Sequence, residues 1–239
     1  MPPRIGRIEA RRSSTPASVE PNAARRRSLP TASPIGGAAR SPMRIVAGRF
    51  RGRRLELPAG LDIRPTADRT RQALFDLLEH GHLRADGGSA VVDAVVLDAF
   101  AGTGALGLEA LSRGAAAASF MDMSRASLDA ARLNAKALGL DGQFILADVT
   151  NPPRARRSAD LVFLDPPYDK ALAVPALAAL AAAGWVAPGA IVSLELSGRE
   201  TAAFVAPAGF AKIDERRYGK ARILLLRAAA SEGSPTPVA

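Results

Sequence analysis

The segment Val95-Val96-Leu97-Asp98-Ala99-Phe100-Ala101-Gly102-Thr103-Gly104-Ala105-Leu106-Gly107 begins as an apolar run and ends in three closely spaced glycines. A short apolar run that stops at turn residues predicts a buried strand. The glycines predict a tight turn that leads directly into a helix. Open α/β sheets bind ligands in a crevice at the carboxyl ends of their strands, so this turn is expected to border a ligand site.

Two classes of cofactor fit this turn. Gly102, Gly104 and Gly107 have the spacing of a dinucleotide-binding turn, and Asp122 ends the next predicted strand, where it could accept ribose hydroxyls. Asp98 favours another ligand, because a carboxylate repels a pyrophosphate but attracts the ammonium and sulfonium groups of S-adenosylmethionine. The residues favour S-adenosylmethionine, and a nicotinamide enzyme remains the alternative.

The following segments repeat the strand and helix pattern. Ser124 can cap a helix from about Arg125 to Leu138 that ends at Gly139. The next strand closes at Asp148, which is placed to reach an adenine amine. Two final strands, 210–218 and 221–227, predict an antiparallel pair. We therefore predict an α/β domain over residues 91–228, followed by a flexible tail, 229–239.

A second motif, Asp165-Pro166-Pro167-Tyr168, follows the apolar run from Leu161 to Leu164. The prolines stiffen the turn and supply carbonyl acceptors but no N–H donors. Beside a carboxylate and a phenol ring, these acceptors suit a planar group that carries an NH2, such as a nucleobase. The motif resembles motif IV of the class I aminomethyltransferases, in which Asp, Asn or Ser precedes Pro-Pro and an aromatic residue. A simple turn with an aromatic core anchor is the alternative.

Composition limits the chemistry. The chain of 239 residues has no cysteine, which excludes thiolate metal sites, iron–sulfur clusters and a cysteine nucleophile. With only His80 and His82, no histidine-rich metal site is expected, and we predict no metal. The uncharged stretch between Lys170 and Glu195 is mostly alanine and is interrupted by proline and glycine, so we predict no membrane span. We predict instead an alanine-rich helix that opens at Tyr168 and then a strand from Ala190 to Leu196.

Residues 1–42 carry eight arginines and two acidic residues, and so six of the nine net positive charges. This segment is rich in Pro, Ser, Ala and Arg and lacks apolar periodicity, which predicts disorder. It resembles a transit peptide and could also contact RNA. Because the ordered pattern begins abruptly at Met43, we expect that Met43 is the native start.

Residues 43–90 predict a β-hairpin and a helix. Two short segments, 44–48 and 53–57, are predicted to be strands joined by a turn that contains Gly52. Six arginines but only two acidic residues lie between Arg44 and Arg64, around the aromatic residue Phe50. This excess of positive charge favours contacts with nucleic-acid phosphates over a solvated edge hairpin. The residues expected to bind nucleic acid are Arg44, Arg49, Arg51, Arg53, Arg54 and Arg64.

Residues 43–227 resemble the 16S rRNA (guanine(966)-N(2))-methyltransferase family, the RsmD type. The resemblance rests on three segments: RIVAGRFRGRRLELP followed by RPTADRTRQALFDLL, LDAFAGTGALGLEALSRGA, and LVFLDPPYDK. It implies a Rossmann-like seven-stranded methyltransferase sheet with a small N-terminal extension. It also implies that the target guanine is held by Asp165 to Tyr168, the last of which is phenylalanine in many relatives. The arginine-rich leader lies outside the family pattern.

The resemblance implies a cytoplasmic enzyme that methylates 16S rRNA, and we expect a monomer acting on a small-subunit assembly particle. Two alternatives stay open: an adenine-N6 methyltransferase, because the motif reads an amine rather than one base, and a non-catalytic RNA-binding protein. The expected catalytic residues are Asp165, Pro166, Pro167 and Tyr168. The expected S-adenosylmethionine ligands are Asp98, Phe100, Gly102, Gly104, Asp122, Met123 and Asp148.

Overall fold

The computed structural model of the protein describes residues 43–57, 66–84, 86–219 and 221–230. The predictions for residues 1–42, for Arg64 and for nearly all of the tail 229–239 lie outside these ranges. No helix within the described ranges has the length and apolar character needed to cross a lipid bilayer.

The core is one mixed sheet of seven strands in the order β3-β2-β1-β4-β5-β7-β6. The first five strands in this order run parallel, and β7 is antiparallel to both β5 and β6. The predicted seven-stranded α/β fold is confirmed. The strands are β1 Val95–Ala99, β2 Ala117–Asp122, β3 Gln143–Leu146, β4 Ala159–Leu164, β5 Val186–Ser197, β6 Phe210–Tyr218 and β7 Ala221–Ala228.

Helices cover both faces of this sheet. The helices are α1 Thr66–His80, α2 Ala105–Ser112, α3 Arg125–Leu138, α4 Ala173–Ala182 and α5 Gly198–Ala203. Side chains of α1, α2 and α3 pack into one apolar cluster with one face of the sheet. Side chains of α4 form a second cluster on the other face, together with Trp185. Alternate residues of the buried strands supply the two clusters, as the pleat requires.

Helix α3 follows the sequence prediction closely. Ser124 accepts a hydrogen bond from the Ser127 N–H, and Gly139 ends the helix at φ +65°. The prediction for α4 was wrong at its start: the helix begins at Ala173 instead of directly after Tyr168. Asp169 and Ala171 in the intervening loop have positive φ values, which interrupt the helical path. Helix α5 was not predicted, although Ser197 and Glu200 form a capping box at its start.

The N-terminal segment 43–57 forms a short hairpin around an antiparallel bridge between Arg44 and Arg54. The N–H groups of Ile45 and Leu55 donate to the carbonyls of Arg53 and Met43 at 2.9 Å. The sequence predicted two full strands, but Gly48–Phe50 form a short 3-10 helix in the connection. Helices α2 and α3 hold this segment through its backbone. The Ser112 hydroxyl donates to the Ala47 carbonyl at 2.6 Å and accepts from the Phe50 N–H at 3.1 Å.

A buried carboxylate on α2 anchors the same segment. Glu109 is fully buried and accepts the N–H groups of Val46 and Ala47 at 2.7 and 2.9 Å. Arg113 pairs with Glu109 at 2.8 Å and with Glu79 of α1 at 2.7 Å. This network ties α1 and the N-terminal segment to the sheet domain, because a buried charge is stable only when it is paired.

Asn134 of α3 joins the N-terminal segment to the glycine turn. Its side chain bonds the backbone N–H and C=O of Glu56 at 2.6 and 3.0 Å, and the Thr103 carbonyl at 3.1 Å.

We expect Asn134→Ala to lower the free energy of unfolding by about 2 kcal/mol, since these backbone groups lose their partners. Urea unfolding measures the loss. The control Asn151→Ala removes an exposed amide, and an equal loss in both variants would contradict the assignment.

Candidate active site

The strand order reverses between β1 and β4, and the candidate site lies there. Two adjoining clefts open at the carboxyl ends of the central strands. The small cleft has a volume of about 450 Å³ and the large cleft about 1190 Å³. Asp165, Tyr168 and Glu195 line both clefts, so the predicted catalytic motif stands where they meet.

The small cleft brings together residues predicted from two separate motifs. Its walls are Phe100, Asp122, Met123, Asp165, Pro166, Pro167, Tyr168, Leu172 and Glu195. Phe100 has a φ of +62°, which is unusual for a residue other than glycine. Backbone strain of this kind concentrates at binding and catalytic sites, and here it turns the chain from β1 into the glycine loop.

The glycines of the loop have different tasks. Gly102 has a φ of +52°, and a Cβ there would meet no atom within 4 Å, so its backbone faces open space. Gly107 is needed for packing, because a Cβ there would lie 2.4 Å from Cε1 of Phe120. Gly104 caps α2 in the left-handed region at φ +78°. Only Gly102 therefore leaves room for a ligand to approach the backbone closely.

Two aspartates fix the glycine loop and the first turn of α2. Asp122 accepts the Gly102 N–H at 2.9 Å and the Ser124 N–H at 2.8 Å. Asp98 is almost fully buried beneath the loop and accepts the Gly107 N–H at 2.8 Å. Burial, with a smaller effect from the charge of Asp122, raises the pKa of Asp98 to about 7 against the opposing effect of the Gly107 hydrogen bond. Asp98 thus lies under the site without lining either cleft.

Asp165 and Glu195 lie side by side at the edge of the sheet. Leu164 of β4 is level with Leu194 of β5, so the next residue of each strand is a carboxylate. The Tyr168 hydroxyl donates a hydrogen bond to Oε1 of Glu195. Asp165 is exposed to the cleft, although protein atoms crowd around its carboxyl and weaken its hydration. This desolvation, together with the charges of Glu195 and Asp98, raises the pKa of Asp165 to about 8.

Other predicted residues lie elsewhere. Asp148 lines neither cleft; it is exposed and accepts both the Thr150 N–H and its hydroxyl at 2.8 Å. The five described arginines of the N-terminal segment are all exposed. Arg44 forms an ion pair with Asp68 at 3.3 Å, and Arg49 lies over the Phe50 ring at 4.8 Å. Arg53 donates to the Ala137 carbonyl at 3.0 Å.

The sequence prediction missed part of the large cleft. Helix α1 contributes Thr70, Arg71 and Leu74, so the segment before the sheet domain does fold back over the crevice. Glu195 of β5 was also missed. A signal for it existed, since it is the first charged residue after the long uncharged stretch and lies near the end of a buried strand. The remaining wall includes Arg199, Arg217, Tyr218 and Arg222 from α5, β6, β7 and the segments next to them.

Comparison with known proteins places this geometry in a family. The model of the family described as "Conserved hypothetical protein 95" matches residues 43–227. The chain belongs to this family. The matched range covers both clefts and the whole N-terminal segment described above, so the resemblance to the RsmD type is confirmed.

The relatives are methyltransferases. The "Ribosomal RNA small subunit methyltransferase D" of Escherichia coli is 37% identical over 163 residues, which cover 64% of this chain and 74% of that protein. The protein of the same name from Haemophilus influenzae is 32% identical over 166 residues, 66% of this chain and 80% of its own length. These comparisons confirm the predicted enzyme class, a methyltransferase.

A solved structure agrees with this assignment. The Escherichia coli protein yhhF, described as a candidate methyltransferase, matches with a TM-score of 0.66 and 30% sequence identity. The match covers 80% of this chain and all of that chain. This chain therefore shares its overall fold with that protein.

Proposed function

We propose that this family member transfers a methyl group from S-adenosylmethionine to the exocyclic N2 amine of a guanine in 16S rRNA. The observation that carries the proposal is the position of Asp165 to Tyr168 where the two clefts meet. A methyl donor in the small cleft and a base in the large cleft would then face each other across the motif. The names of the relatives support a ribosomal RNA substrate.

The small cleft fits S-adenosylmethionine. Its volume lies within the range of cofactor pockets. Gly102 lines neither cleft, but it follows the cleft residue Phe100 by two positions, and its open backbone would allow a ligand to approach closely. We propose that Asp122 accepts the ribose hydroxyls and that Phe100 and Met123 contact the adenine. The negative charge of Asp98, which is buried beneath the loop, would offset the positive charge of the cofactor's ammonium group. Asp148 lies outside the cleft, so its contact with the adenine amine stays a prediction. When bound, the cofactor supplies a methyl group activated by a sulfonium.

The motif residues would position the target amine. We propose that Tyr168 stacks on a guanine that has left its RNA stack. The Asp165 carboxylate and the Pro166 carbonyl accept the N2 hydrogens, which draws the nitrogen lone pair out of conjugation with the ring. The rigid Pro166-Pro167 turn keeps these acceptors fixed, so orientation and electrostatics supply most of the rate. No covalent enzyme intermediate is required.

The exposed arginines of the N-terminal segment would contact RNA phosphates. Their segment is held to α2 and α3, so they have a fixed position relative to the clefts. We propose that residues 43–90 bind RNA next to the target base, and that the physiological substrate is a small-subunit assembly particle. We also propose that the enzyme acts as a cytoplasmic monomer without a metal.

We expect Arg49→Ala/Arg51→Ala to weaken RNA binding about tenfold at moderate salt. The slope of log binding constant against log salt concentration should become shallower by about two, one for each lost phosphate contact. The maximal rate at saturating RNA should stay unchanged, because neither side chain lines a cleft. Filter binding at several salt concentrations measures both effects. Arg156→Ala/Arg157→Ala is the matched control, since these exposed residues lie in the loop before β4, outside the N-terminal segment and outside both clefts. Equal weakening in both double variants would contradict a specific RNA surface.

Labelled S-adenosylmethionine tests the function. Under-methylated small-subunit particles and naked 16S rRNA are incubated with the wild-type enzyme, and incorporation into each is compared. We expect label in both, with the particle preferred. Cofactor binding without any label in 16S rRNA would favour the non-catalytic RNA-binding alternative or another substrate.

A further inference from the structure

Three carboxylates line the large cleft, those of Asp165, Asp169 and Glu195, and the proposed mechanism uses only that of Asp165. Asp165 follows the last residue of β4, and Glu195 lies in β5 directly after Leu194, the partner of Leu164. Because neighbouring strands lie roughly 5 Å apart, the two carboxylates are close neighbours. Ser193 and Glu195 point to the same face of β5, and both line the large cleft. Glu195 therefore stands next to the position proposed for the target amine.

Glu195 is held in place by the motif itself. One of its oxygens, Oε1, accepts the Tyr168 hydroxyl, which leaves Oε2 able to accept a hydrogen bond from a ligand. Within the described ranges no lysine or arginine forms an ion pair with Glu195. A half-buried carboxylate that lacks a cation is best satisfied by N–H donors.

We propose that Glu195 is a specificity-determining residue that accepts the N1–H of the target guanine. This inference rests on the proposed function and names the feature that selects the base. Guanine presents two neighbouring donors on its Watson–Crick edge, N1–H and N2–H. Asp165 and the Pro166 carbonyl would receive the N2 hydrogens, and Glu195 would receive the N1 hydrogen.

The same pair of carboxylates rejects other bases that carry an amine. Adenine also has an exocyclic amine, but its N1 is an acceptor and would face the Glu195 carboxylate without a proton between them. A site built to receive a donor discriminates strongly against an analogue that lacks it, because the buried acceptor stays unpaired. Residues 165–168 alone would recognise any exocyclic amine, whereas these residues together with Glu195 would select guanine.

The nucleobase 2-aminopurine removes this donor together with the O6 carbonyl of guanine, so the contact is isolated by comparing the two bases in the wild type and in a Glu195 variant. It keeps the N2 amine of guanine, but its N1 is an acceptor without a proton. Small-subunit particles are reconstituted with 2-aminopurine at the position that the wild-type enzyme methylates. We expect the wild-type kcat/KM for 2-aminopurine to be about 100-fold below that for guanine. Its fluorescence, titrated without S-adenosylmethionine, gives the affinity as a readout independent of methyl transfer.

Glu195→Gln is the decisive variant, because its amide can donate to the N1 of 2-aminopurine. We expect kcat/KM for guanine to fall about 30-fold and the ratio between the two bases to shrink to within about threefold. Asp169→Asn removes another carboxylate that lines the large cleft and serves as the matched control. It should keep the wild-type ratio, since a general loss of negative charge affects both bases alike.

The outcomes separate this inference from the function on which it rests. Wild-type enzyme that forms no N2-methylguanine contradicts the proposed function itself. Wild-type enzyme that methylates guanine and 2-aminopurine equally well overturns the role of Glu195 and leaves the function standing, and this result needs no variant. An unchanged ratio in folded Glu195→Gln overturns it as well, whereas a collapsed ratio there and a normal ratio in Asp169→Asn support it.

Discussion

Replacing Asp165 by alanine is expected to lower kcat about 1,000-fold while the affinity for S-adenosylmethionine stays within about twofold of wild type. The carboxylate is the acceptor that we propose for the N2 hydrogens, and alanine removes it. Single-turnover kinetics with saturating particles measures the rate, and calorimetry measures cofactor binding. Wild-type turnover in this variant would contradict the proposed role of the motif.

Asp165→Asn is the matched variant, because asparagine is also found in the motif and keeps an acceptor oxygen. We expect kcat to fall only about tenfold.

The wild type and Asp165→Asn should also differ in how their kcat/KM depends on pH. The raised pKa of Asp165 means that the free enzyme gains the acceptor form as pH rises, so wild-type kcat/KM should increase up to about pH 8 and then level off. Asp165→Asn should lose this dependence.

Asp98→Asn is expected to weaken S-adenosylmethionine binding about 100-fold, because the buried carboxylate would no longer balance the cofactor's positive charge. S-adenosylhomocysteine keeps the ammonium group but lacks the sulfonium. Equal weakening for both ligands would assign Asp98 to the ammonium, and weakening for S-adenosylmethionine alone would assign it to the sulfonium. Calorimetry with both ligands at pH 8 measures the difference.

The same substitution should stabilise the protein without cofactor. The folded-state pKa of Asp98 is raised to about 7, above its ordinary value, so Asp98 lowers the stability as pH rises from about 4 to about 7. Asparagine removes this cost and keeps an acceptor for the Gly107 N–H. We expect Asp98→Asn to be about 2 to 4 kcal/mol more stable than wild type at pH 8. Unchanged stability and unchanged cofactor affinity together would contradict the proposed role.

The parallel sheet could be predicted because its signals are local. Apolar runs that end at Asp122 and Asp165 mark strands, and the pair Ser124 and Gly139 marks both ends of α3. Strand β5 was predicted to begin at Ala190, but it begins at Val186 and includes Pro188 and Gly189. The pairing between β4 and β5 shifts register there, which lets a strand continue through residues that ordinarily end it.

The docking of the N-terminal segment could not be predicted, because it depends on contacts between distant residues. Glu109 and Asn134 look like ordinary helix residues in the sequence, yet both bind backbone groups of the segment 43–57. Glu195 shows the same difficulty. Its place beside Asp165 follows from the pairing of β4 with β5, which the order of strands along the chain does not reveal.

Nucleoside analysis of the methylated RNA tests the central claim most directly. Small-subunit particles labelled by the wild-type enzyme are digested to nucleosides, and the labelled product is identified by chromatography and mass. We predict that the label is in N2-methylguanosine. Label in N6-methyladenosine would contradict both the guanine assignment and the role of Glu195, although the amine-binding motif would still account for the chemistry.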